Sequence, residues 1–356
     1  MRFAERCGTL PGPEQPGASV TAPPGIAVIG LGFMGGRWAR AISEHYGARL
    51  RVVSDLRRDL GEELAARHGA TFVADPLEAA EHPDVAGVVV CTPEHQHVAA
   101  ALTALDAGKV TCIEKPIAHT VAAAEQIRDR AASGGIPLLV AHILRFEPRY
   151  AAMQRTIQEG RIGAVQAIRS ERIGVLADQN VLAGRTTIPL YYGVHEFDLA
   201  RWYGGDIVKI SAERSRGVLD QHGYDVFDLY SATVRFTSGA HGTAMLGWSL
   251  PDSTAGWGTS GFTVIGETGV MRVDQARTGL VMVDEKGRIG EDTWYSPVVH
   301  DRQAGALAIE VDHFIRCVHG DTEPACTASD GTEAVRVSLA MEAAAAGGQP
   351  VTLGID

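Results

Sequence analysis

The sequence has few lysines, too few basic residues to balance its acidic ones, and no long apolar run, and the last two shortages each exclude a class of protein. Only four of its 32 basic residues are lysines, and the net charge is −11. An acidic chain of this kind is not expected to bind a nucleic-acid backbone. No apolar run approaches the roughly 18 residues of a membrane-spanning helix, so we expect no membrane segment.

The sequence also lacks paired cysteines. Its five cysteines are odd in number, widely spaced and free of CxxC pairs: Cys7, Cys91, Cys112, Cys317 and Cys326. This pattern favours reduced thiols in a cytoplasmic protein over a disulfide framework or a zinc site. We therefore predict no metal.

Two regions with different patterns follow a tail. Residues 1–24, rich in proline and glycine, predict a flexible tail rather than a targeting peptide. From residue 25, continuously apolar runs alternate with helical patterns. Strands are predicted over 26–30, 50–54, 86–91, 110–113 and 136–141, with helices over 35–46, 60–68, 94–106 and 121–132. This alternation indicates a parallel sheet covered on both faces, so 25–147 should form a doubly wound α/β (Rossmann) domain.

Beyond residue 147 the apolar residues alternate with polar ones. Short strands are predicted over 165–174, 229–236, 241–248, 262–265, 270–273 and 280–283, followed by helices over 303–319 and 329–345. Alternation of this kind suits a mainly antiparallel sheet with one face packed on helices. Residues 148–356 are therefore predicted to form an α+β domain.

A glycine-rich turn follows the first predicted strand and opens a helix. It reads GLGFMG, with Gly30, Gly32 and Gly35 in the GxGxxG spacing and Phe33 and Met34 between them. In that spacing the glycines permit a tight turn, a close approach of the backbone to a pyrophosphate, and close packing of helix on strand. The sequence therefore predicts a dinucleotide site at this turn.

The second predicted strand ends at Asp55, 20 residues after the last glycine of the turn. A carboxylate there accepts hydrogen bonds from ribose hydroxyls and repels a 2′-phosphate, which favours NAD. Arg57 and Arg58 follow at once and could neutralise such a phosphate. NADP therefore stays an alternative, although both arginines could equally be solvated charges.

Two further strands end in polar residues at the same edge of the sheet. The residues expected against the cofactor there are Cys91, Thr92, Pro93, His97, Glu114 and Lys115. In open α/β sheets ligands bind outside the carboxyl ends of the strands. A lysine beside a nicotinamide that becomes positive should have a lowered pKa, which suits it to proton transfer.

Four segments together resemble the Gfo/Idh/MocA family of oxidoreductases. They read GLGFMGG, TPEHQHVAAALTALDAGKVTCIEKP, VAHILRFEP and GVHEFDLARW, in matching order and spacing from residue 25 to about 206. The later strands and helices are also similar. The resemblance implies an open-faced second sheet, a homodimer or homotetramer, and NAD-linked hydride transfer at a secondary alcohol of a sugar, sugar derivative or cyclitol.

The resemblance also implies roles for individual residues. Lys115 would hold and deprotonate the substrate hydroxyl, and His195 would act beside it as a proton relay. Asp198 lies on the same helix face and would orient His195 or pair locally. Other expected substrate contacts are His142, Arg145 and Arg185, although an ion pair between domains is an equally good interpretation of Arg145.

Tyr191 departs from the family pattern. Many members have an aspartate four residues before the motif histidine, and a phenol is a poor base near neutral pH. Two alternatives therefore stay open. One is a redox-neutral glycosidase that uses NAD transiently, with Tyr191 in the elimination chemistry; the other is a non-catalytic NAD-binding regulator.

Overall fold

A computed structural model gives the fold of the chain. It describes residues 22–175, 185–251, 254, 258–275, 280, 282–284, 287–289 and 292–354. Most of the predicted tail over 1–24, and Cys7 with it, lies outside the described residues. The other four cysteines carry free thiols. Among the helices that the structure describes, none combines the length and the apolar character needed to cross a membrane.

The first half of the chain folds into a parallel sheet flanked by helices. Its strands are β1 (Gly25–Ile29), β2 (Arg49–Ser54), β3 (Thr71–Phe72), β4 (Gly87–Val90), β5 (Val110–Glu114) and β6 (Leu138–Ala141). They lie in the order β3-β2-β1-β4-β5-β6, and every pair is parallel. All residues of β4 and β6 are buried, as the continuous apolar runs predict for a sheet covered on both faces.

The helices of this half are α1 (Phe33–Ser43), α2 (Arg58–His68), α3 (Pro76–Glu81), α4 (His97–Asp106) and α5 (Val121–Gly134). Strand β3 and helix α3 were not predicted, because they are too short to show a periodicity. The helix predicted over 94–106 begins as a 3-10 turn, Glu94–Gln96, and becomes α-helical at His97.

The second half contains a seven-stranded mixed sheet. Its strands are β7 (Val165–Val175), β8 (Ile207–Ser215), β9 (Leu229–Phe236), β10 (His241–Leu250), β11 (Thr259–Gly266), β12 (Val270–Asp274) and β17 (Val351–Thr352). The order is β12-β11-β7-β10-β9-β8-β17. The small strands β13 (Met282–Asp284), β14 (Gly287–Ile289), β15 (Val298–Val299) and β16 (Arg302–Gln303) form two separate hairpins.

The mainly antiparallel sheet is confirmed, with one exception. Strands β7 and β10 pair in parallel, whereas the other neighbours in this sheet are antiparallel. The alternating pattern could not show this, because strands of either direction alternate with the same period. The strand predicted over 280–283 is observed as β13, outside the large sheet, and β8 was not predicted.

Helices α6 (Pro148–Gln158), α7 (Val194–Gly204), α8 (Val218–Gln221), α9 (Gly305–His319) and α10 (Ala328–Gly347) complete the chain. Both closing helices pack on the first half, and the second of them also packs on the second half. Helix α9 lies against α1 and β5, and α10 lies between β8 and α7 on one side and α5 and β6 on the other. The backbone amide of Val140 in β6 donates to the carbonyl oxygen of Cys326, just before α10, at 2.9 Å.

 The predicted division at residue 147 falls between a 3-10 turn, Ile143–Phe146, and α6.

Candidate active site

A cavity of about 880 Å³ opens at the carboxyl edge of the first sheet, where β1, β2, β4 and β5 end. This volume lies within the range of small-molecule and cofactor sites, roughly 300–1,000 Å³. Fourteen of the predicted site residues line it: Gly30, Gly32, Phe33, Met34, Asp55, Arg57, Cys91, Thr92, Pro93, His97, Glu114, Lys115, Arg185 and Tyr191. The carboxyl edge therefore brings together residues that lie far apart in the sequence.

The glycine turn has the geometry that a dinucleotide requires. Gly30 has a φ of +85°, in the left-handed region, and a Cβ on Gly35 would lie 1.7 Å from the Gly30 carbonyl oxygen. A Cβ on Gly32 would meet no atom within 4 Å, because this residue faces open space in the cavity wall. Gly32 also begins α1 without a side-chain cap, and the first turn of α1 carries no acidic residue. The helix N-terminus thus fits a pyrophosphate.

Asp55 lies at the other end of this site, and both oxygens of its carboxylate accept hydrogen bonds. One oxygen accepts from the Leu31 amide at 2.7 Å and from Arg57 Nη2 at 3.2 Å, and the other accepts from the amide and Nε of Arg57 at 2.8 and 3.0 Å. Burial opposes the charge, but the hydrogen bonds from Arg57 and Leu31 outweigh it and lower the pKa of Asp55. Ribose hydroxyls must therefore compete with the Arg57 side chain for this carboxylate.

Lys115 lies at the end of β5, where its amine faces the second half of the chain. Its Nζ donates to the Tyr191 carbonyl oxygen at 3.2 Å and lies 4.2 Å from the centre of the Tyr191 ring. Burial lowers the pKa of Lys115 to about 8; Glu114 opposes this shift and Arg172 adds to it. At pH 7 about a tenth of such an amine is neutral, far more than for a lysine of ordinary pKa, and the neutral form is the one that can accept a proton.

An aromatic group lies opposite the first sheet, and Tyr191 is its member in the cavity wall. Tyr191 stacks on Trp248 with ring centres 5.3 Å apart and planes at 25°, and Tyr192 packs against both rings. Tyr191 and Tyr192 belong to a π-helical turn, Pro189–Gly193, that leads into α7. The sequence analysis identified Tyr191 but missed its partners, because Trp248 lies on β10, far along the chain.

Arg185 reaches the cavity as the resemblance implies, but it does so in a pair with Glu94. Its Nε donates to Glu94 Oε1 at 3.2 Å, and His119 Nε2 lies 3.6 Å from the same oxygen. Glu94 is 6% exposed and lines the cavity. Sequence reasoning did not single out Glu94, although it directly follows the Cys-Thr-Pro end of β4. The pair offers both a donor and an acceptor to a hydroxylated ligand.

His97 lines the cavity, but its ring nitrogens face the backbone. Nε2 lies 2.9 Å from the Thr92 carbonyl oxygen, and Nδ1 lies 3.0 Å from that of Pro116. Burial lowers the pKa of His97, so the neutral ring donates only one of these hydrogen bonds. The ring therefore links the loops after β4 and β5 and has no nitrogen left for the predicted cofactor contact.

Glu114 is held from behind the cavity. Trp38 Nε1 of α1 donates to Oε1 at 3.1 Å, and the Lys115 amide donates to Oε2 at 3.2 Å. Burial raises the pKa of Glu114. Glu310 of α9 is also buried nearby, and burial together with Glu114 raises its pKa strongly. Neither the hydrogen bond from Trp38 nor the nearby charge of Glu310 was predicted, because both residues lie far from Glu114 in the sequence.

The structure does not bring Arg145 and Asp198 to the cavity, where the resemblance placed substrate contacts. The Arg145 guanidinium donates to both Asp198 oxygens, at 2.9 and 2.6 Å, and their side chains are 4% and 1% exposed. The ion pair between the two halves, which was the alternative for Arg145, is what the structure contains, and Asp198 is its partner. Because these two charges form a buried ion pair with each other, neither is available to contact a ligand in the cavity.

Two histidines and a glycine among the predicted residues also lie outside the cavity wall. Gly35 is beneath the glycine turn, and His142 and His195 are 1% and 9% exposed behind Lys115. Burial, with Lys115 and Arg172 adding to it, lowers the pKa of His195 strongly. His195 is therefore neutral at neutral pH and does not contact the cavity directly.

The comparisons with known proteins agree with this geometry. Residues 25–142 match a family model described as an oxidoreductase family with an NAD-binding Rossmann fold, and residues 150–272 match the GFO/IDH/MocA C-terminal domain. The predicted NAD-binding domain is thereby confirmed. Inositol 2-dehydrogenase 1 of Mycolicibacterium vanbaalenii is 30% identical over 93% of this chain and 96% of its own length.

Another relative matches about half of this chain, whereas a solved structure matches nearly all of it. Inositol 2-dehydrogenase 1 of Saccharopolyspora erythraea is 32% identical, but the match covers 54% of this chain and 58% of that relative. Scyllo-inositol dehydrogenase from Lactobacillus casei, solved with NAD(H) and scyllo-inositol, superposes with a TM-score of 0.79 at 22% identity, over 93% of this chain and 99% of the other. With both halves matched in order, the chain belongs to the GFO/IDH/MocA family of oxidoreductases.

Proposed function

We propose that this chain is an NAD-dependent dehydrogenase that oxidises a secondary alcohol of a cyclitol, with sugars and sugar derivatives as the wider substrate class. One observation carries the proposal: the Lys115 amine lies in the cavity wall, and its pKa of about 8 suits it to accept a hydroxyl proton. The inositol dehydrogenases among its relatives support a cyclitol as the substrate.

The residues of the cavity divide the chemistry between them. When bound, NAD supplies the hydride acceptor at nicotinamide C4. Lys115 holds the substrate hydroxyl and accepts its proton, and His195 behind it receives the proton in turn. The stacked Tyr191 ring and the Glu94–Arg185 pair hold the substrate ring, through an apolar face and through hydrogen bonds to its hydroxyls.

A substrate screen tests this proposal. The protein is incubated with scyllo-inositol, myo-inositol, glucose and aryl glycosides, each with NAD and with NADP, and both absorbance at the NADH band and products are followed. We expect NADH to form with at least one cyclitol. Release of an aglycone without net NADH would favour the glycosidase, and no turnover of any compound would favour the non-catalytic regulator.

The rate of oxidation should rise with pH through the pKa of Lys115. Only the neutral amine accepts a proton, and its fraction grows as the pH passes about 8. We therefore expect kcat/KM to increase up to a plateau above this value. A pH profile that is flat between 6 and 10 would contradict the role of Lys115.

Replacing Asp55 should shift the cofactor preference. In Asp55→Ser, ribose hydroxyls lose a charged acceptor while Arg57 stays beside them, so NAD should bind about ten-fold or more weakly and NADP more tightly. Fluorescence titration with each cofactor measures this. Asp59→Ser removes a nearby carboxylate that does not line the cavity and should change neither affinity. A wild type that already prefers NADP would contradict the proposed use of NAD.

Tyr191→Phe should separate the dehydrogenase from the glycosidase. The phenol stays protonated near neutral pH, so in a dehydrogenase it only positions substrate. Its loss should then raise KM and cost about 1–2 kcal/mol in kcat/KM. In a glycosidase kcat should fall by about 10² or more, with a keto-sugar and NADH accumulating. Tyr192→Phe, in the same aromatic stack, is the matched control.

A further inference from the structure

The wall of the active-site cavity carries charges of both signs in equal number. Its charged side chains, among the residues that the structure describes, are three acidic and three basic groups: Asp55, Glu94, Glu114, Arg57, Lys115 and Arg185. Asp55 pairs with Arg57 at the end where the ribose is expected, and Glu114 directly precedes Lys115. The third pair, Glu94 with Arg185, is the one whose charges the transfer of hydride and proton does not require.

Glu94 and Arg185 reach the cavity from opposite halves of the chain. Glu94 follows β4 in the first half, whereas Arg185 lies in the second half, shortly before the π-helical turn that carries Tyr191. Arg185 Nε donates to Glu94 Oε1 at 3.2 Å. Burial is the main cause that lowers the pKa of Lys115, and both charges also act on it, Glu94 raising it and Arg185 lowering it. The pair therefore lies at the end of the cavity where the substrate meets Lys115.

The pair leaves hydrogen-bonding groups over for a ligand. Within the described part of the chain, no other residue donates to Glu94 Oε2, and none accepts from Nη1 or Nη2 of Arg185. Burial opposes the charge of Glu94, but hydrogen bonds and the neighbouring charge of Arg185 outweigh it and lower the pKa of Glu94. A ligand at this end therefore meets an ionised carboxylate beside a guanidinium that is always protonated.

Two opposite charges side by side discriminate between ligands by the charge of the ligand. An anionic group is attracted by Arg185 but repelled by Glu94, and an ammonium group experiences the reverse, so neither recovers the hydration that it loses in the cavity. A hydroxyl both donates and accepts hydrogen bonds, so adjacent hydroxyls can donate to Glu94 and accept from Arg185. Lys115 does not change this balance, because the form that accepts the substrate proton is neutral.

We propose that the Glu94–Arg185 pair is a specificity determinant that restricts the cavity to uncharged polyols and excludes acidic and amino-substituted ones. The inference rests on the proposed dehydrogenase, and it narrows the wider substrate class to neutral cyclitols and neutral sugars. Phosphorylated sugars, uronates and amino sugars are excluded, because specificity arises from repulsion of the wrong ligand as well as from contacts to the right one. The two charges cancel only while both are present, so the removal of one should admit the ligand that the other attracts.

The test measures the binding of two ligand series to the wild type and to variants of the pair. One series is glucose, glucuronate and glucosamine; the other is myo-inositol, an inositol monophosphate and an aminodeoxy-inositol. Each series thus has a neutral, an anionic and a cationic member. The variants are Glu94→Gln, Arg185→Gln and the double variant. Isothermal titration gives each dissociation constant on protein saturated with NADH, whose reduced nicotinamide is uncharged and cannot accept a hydride.

The expected results differ in sign between the two single variants. In the wild type, the neutral member of a series should bind at least about ten-fold more tightly than the charged members. Glu94→Gln should improve the binding of the anion relative to the neutral ligand by about ten-fold or more, and Arg185→Gln should do the same for the cation. The double variant should again prefer the neutral ligand. A merely structural role would weaken all three members of a series alike.

Glu63→Gln and Arg67→Gln are the controls, because they make the same charge changes in an exposed pair on α2, outside the cavity wall, and should keep the wild-type ratios. The inference is overturned if the wild type binds the charged ligands as tightly as the neutral ones, or binds no neutral ligand. It is also overturned if the two single variants affect anion and cation alike, or if Glu94→Gln weakens NADH binding by more than a few-fold, which would assign the pair to the cofactor. If the substrate screen finds no oxidation, the proposed function fails while these binding ratios still decide the inference.

Discussion

In Lys115→Met, turnover is expected to fall by about 10²–10⁴-fold, while cofactor affinity stays within a few-fold of wild type. The thioether fills the space of the lysine stem but has no proton-accepting nitrogen. The pH dependence near 8 should disappear with the amine, because Lys115 is the group whose pKa is lowered to about 8. Steady-state kinetics and a cofactor titration on the same preparation measure both effects.

Lys109→Met is the control for this variant. Lys109 precedes the other end of the same strand, β5, and its Nζ donates to the Val85 carbonyl oxygen at 2.6 Å, away from the cavity. Both changes remove one positive charge next to β5, so a general effect of charge would appear in both. Near-normal turnover in Lys115→Met, or an equal loss in Lys109→Met, would refute the assignment.

Arg145→Met is expected to lower the free energy of unfolding by about 3–5 kcal/mol. The change leaves the Asp198 carboxylate, 1% exposed, without its guanidinium partner, and the Ala325 carbonyl oxygen loses the donor that Arg145 Nη1 supplies at 2.7 Å. A buried charge without a partner is far more costly than a surface pair that is broken. Urea unfolding followed by circular dichroism measures the difference.

Two further variants test whether the loss of stability in Arg145→Met comes from the unpaired buried charge. Arg40→Met breaks a pair with Glu44 on the surface of α1 and should cost about 0–1 kcal/mol. The double variant Arg145→Met/Asp198→Leu removes both charges and should recover much of the loss. If Arg145→Met costs no more than Arg40→Met, the buried Arg145–Asp198 pair does not stabilise the fold.

Local patterns in the sequence were sufficient to predict most of the helices and strands and most residues of the cavity wall. The glycine turn, Asp55 and Lys115 each follow a strand of a parallel sheet, and such strands end at one edge, so their convergence follows from the order of elements. The short elements β3 and α3 were missed, because two to six residues carry too little periodicity.

Contacts between distant parts of the chain could not be predicted. Nothing in the local pattern around Arg145 and Asp198 indicates that they pair, since they are brought together by the packing of α7 on the turn after β6. The same holds for Trp38 with Glu114, and for Tyr191 with Trp248. These pairs decide which polar residues face the cavity and which are buried behind it, and that division depends on tertiary packing alone.

Helices α9 and α10 follow the whole first sheet in the sequence, and this order has a consequence for synthesis. These helices cover α1, β5, α5 and β6, all of which leave the ribosome long before them. Until they arrive, apolar residues such as Trp38 and Val140 lack Phe314 and the start of α10 as packing partners. The core of the NAD-binding half is therefore incomplete until residues 305–347 have been synthesised, and the nascent chain exposes apolar surface until then.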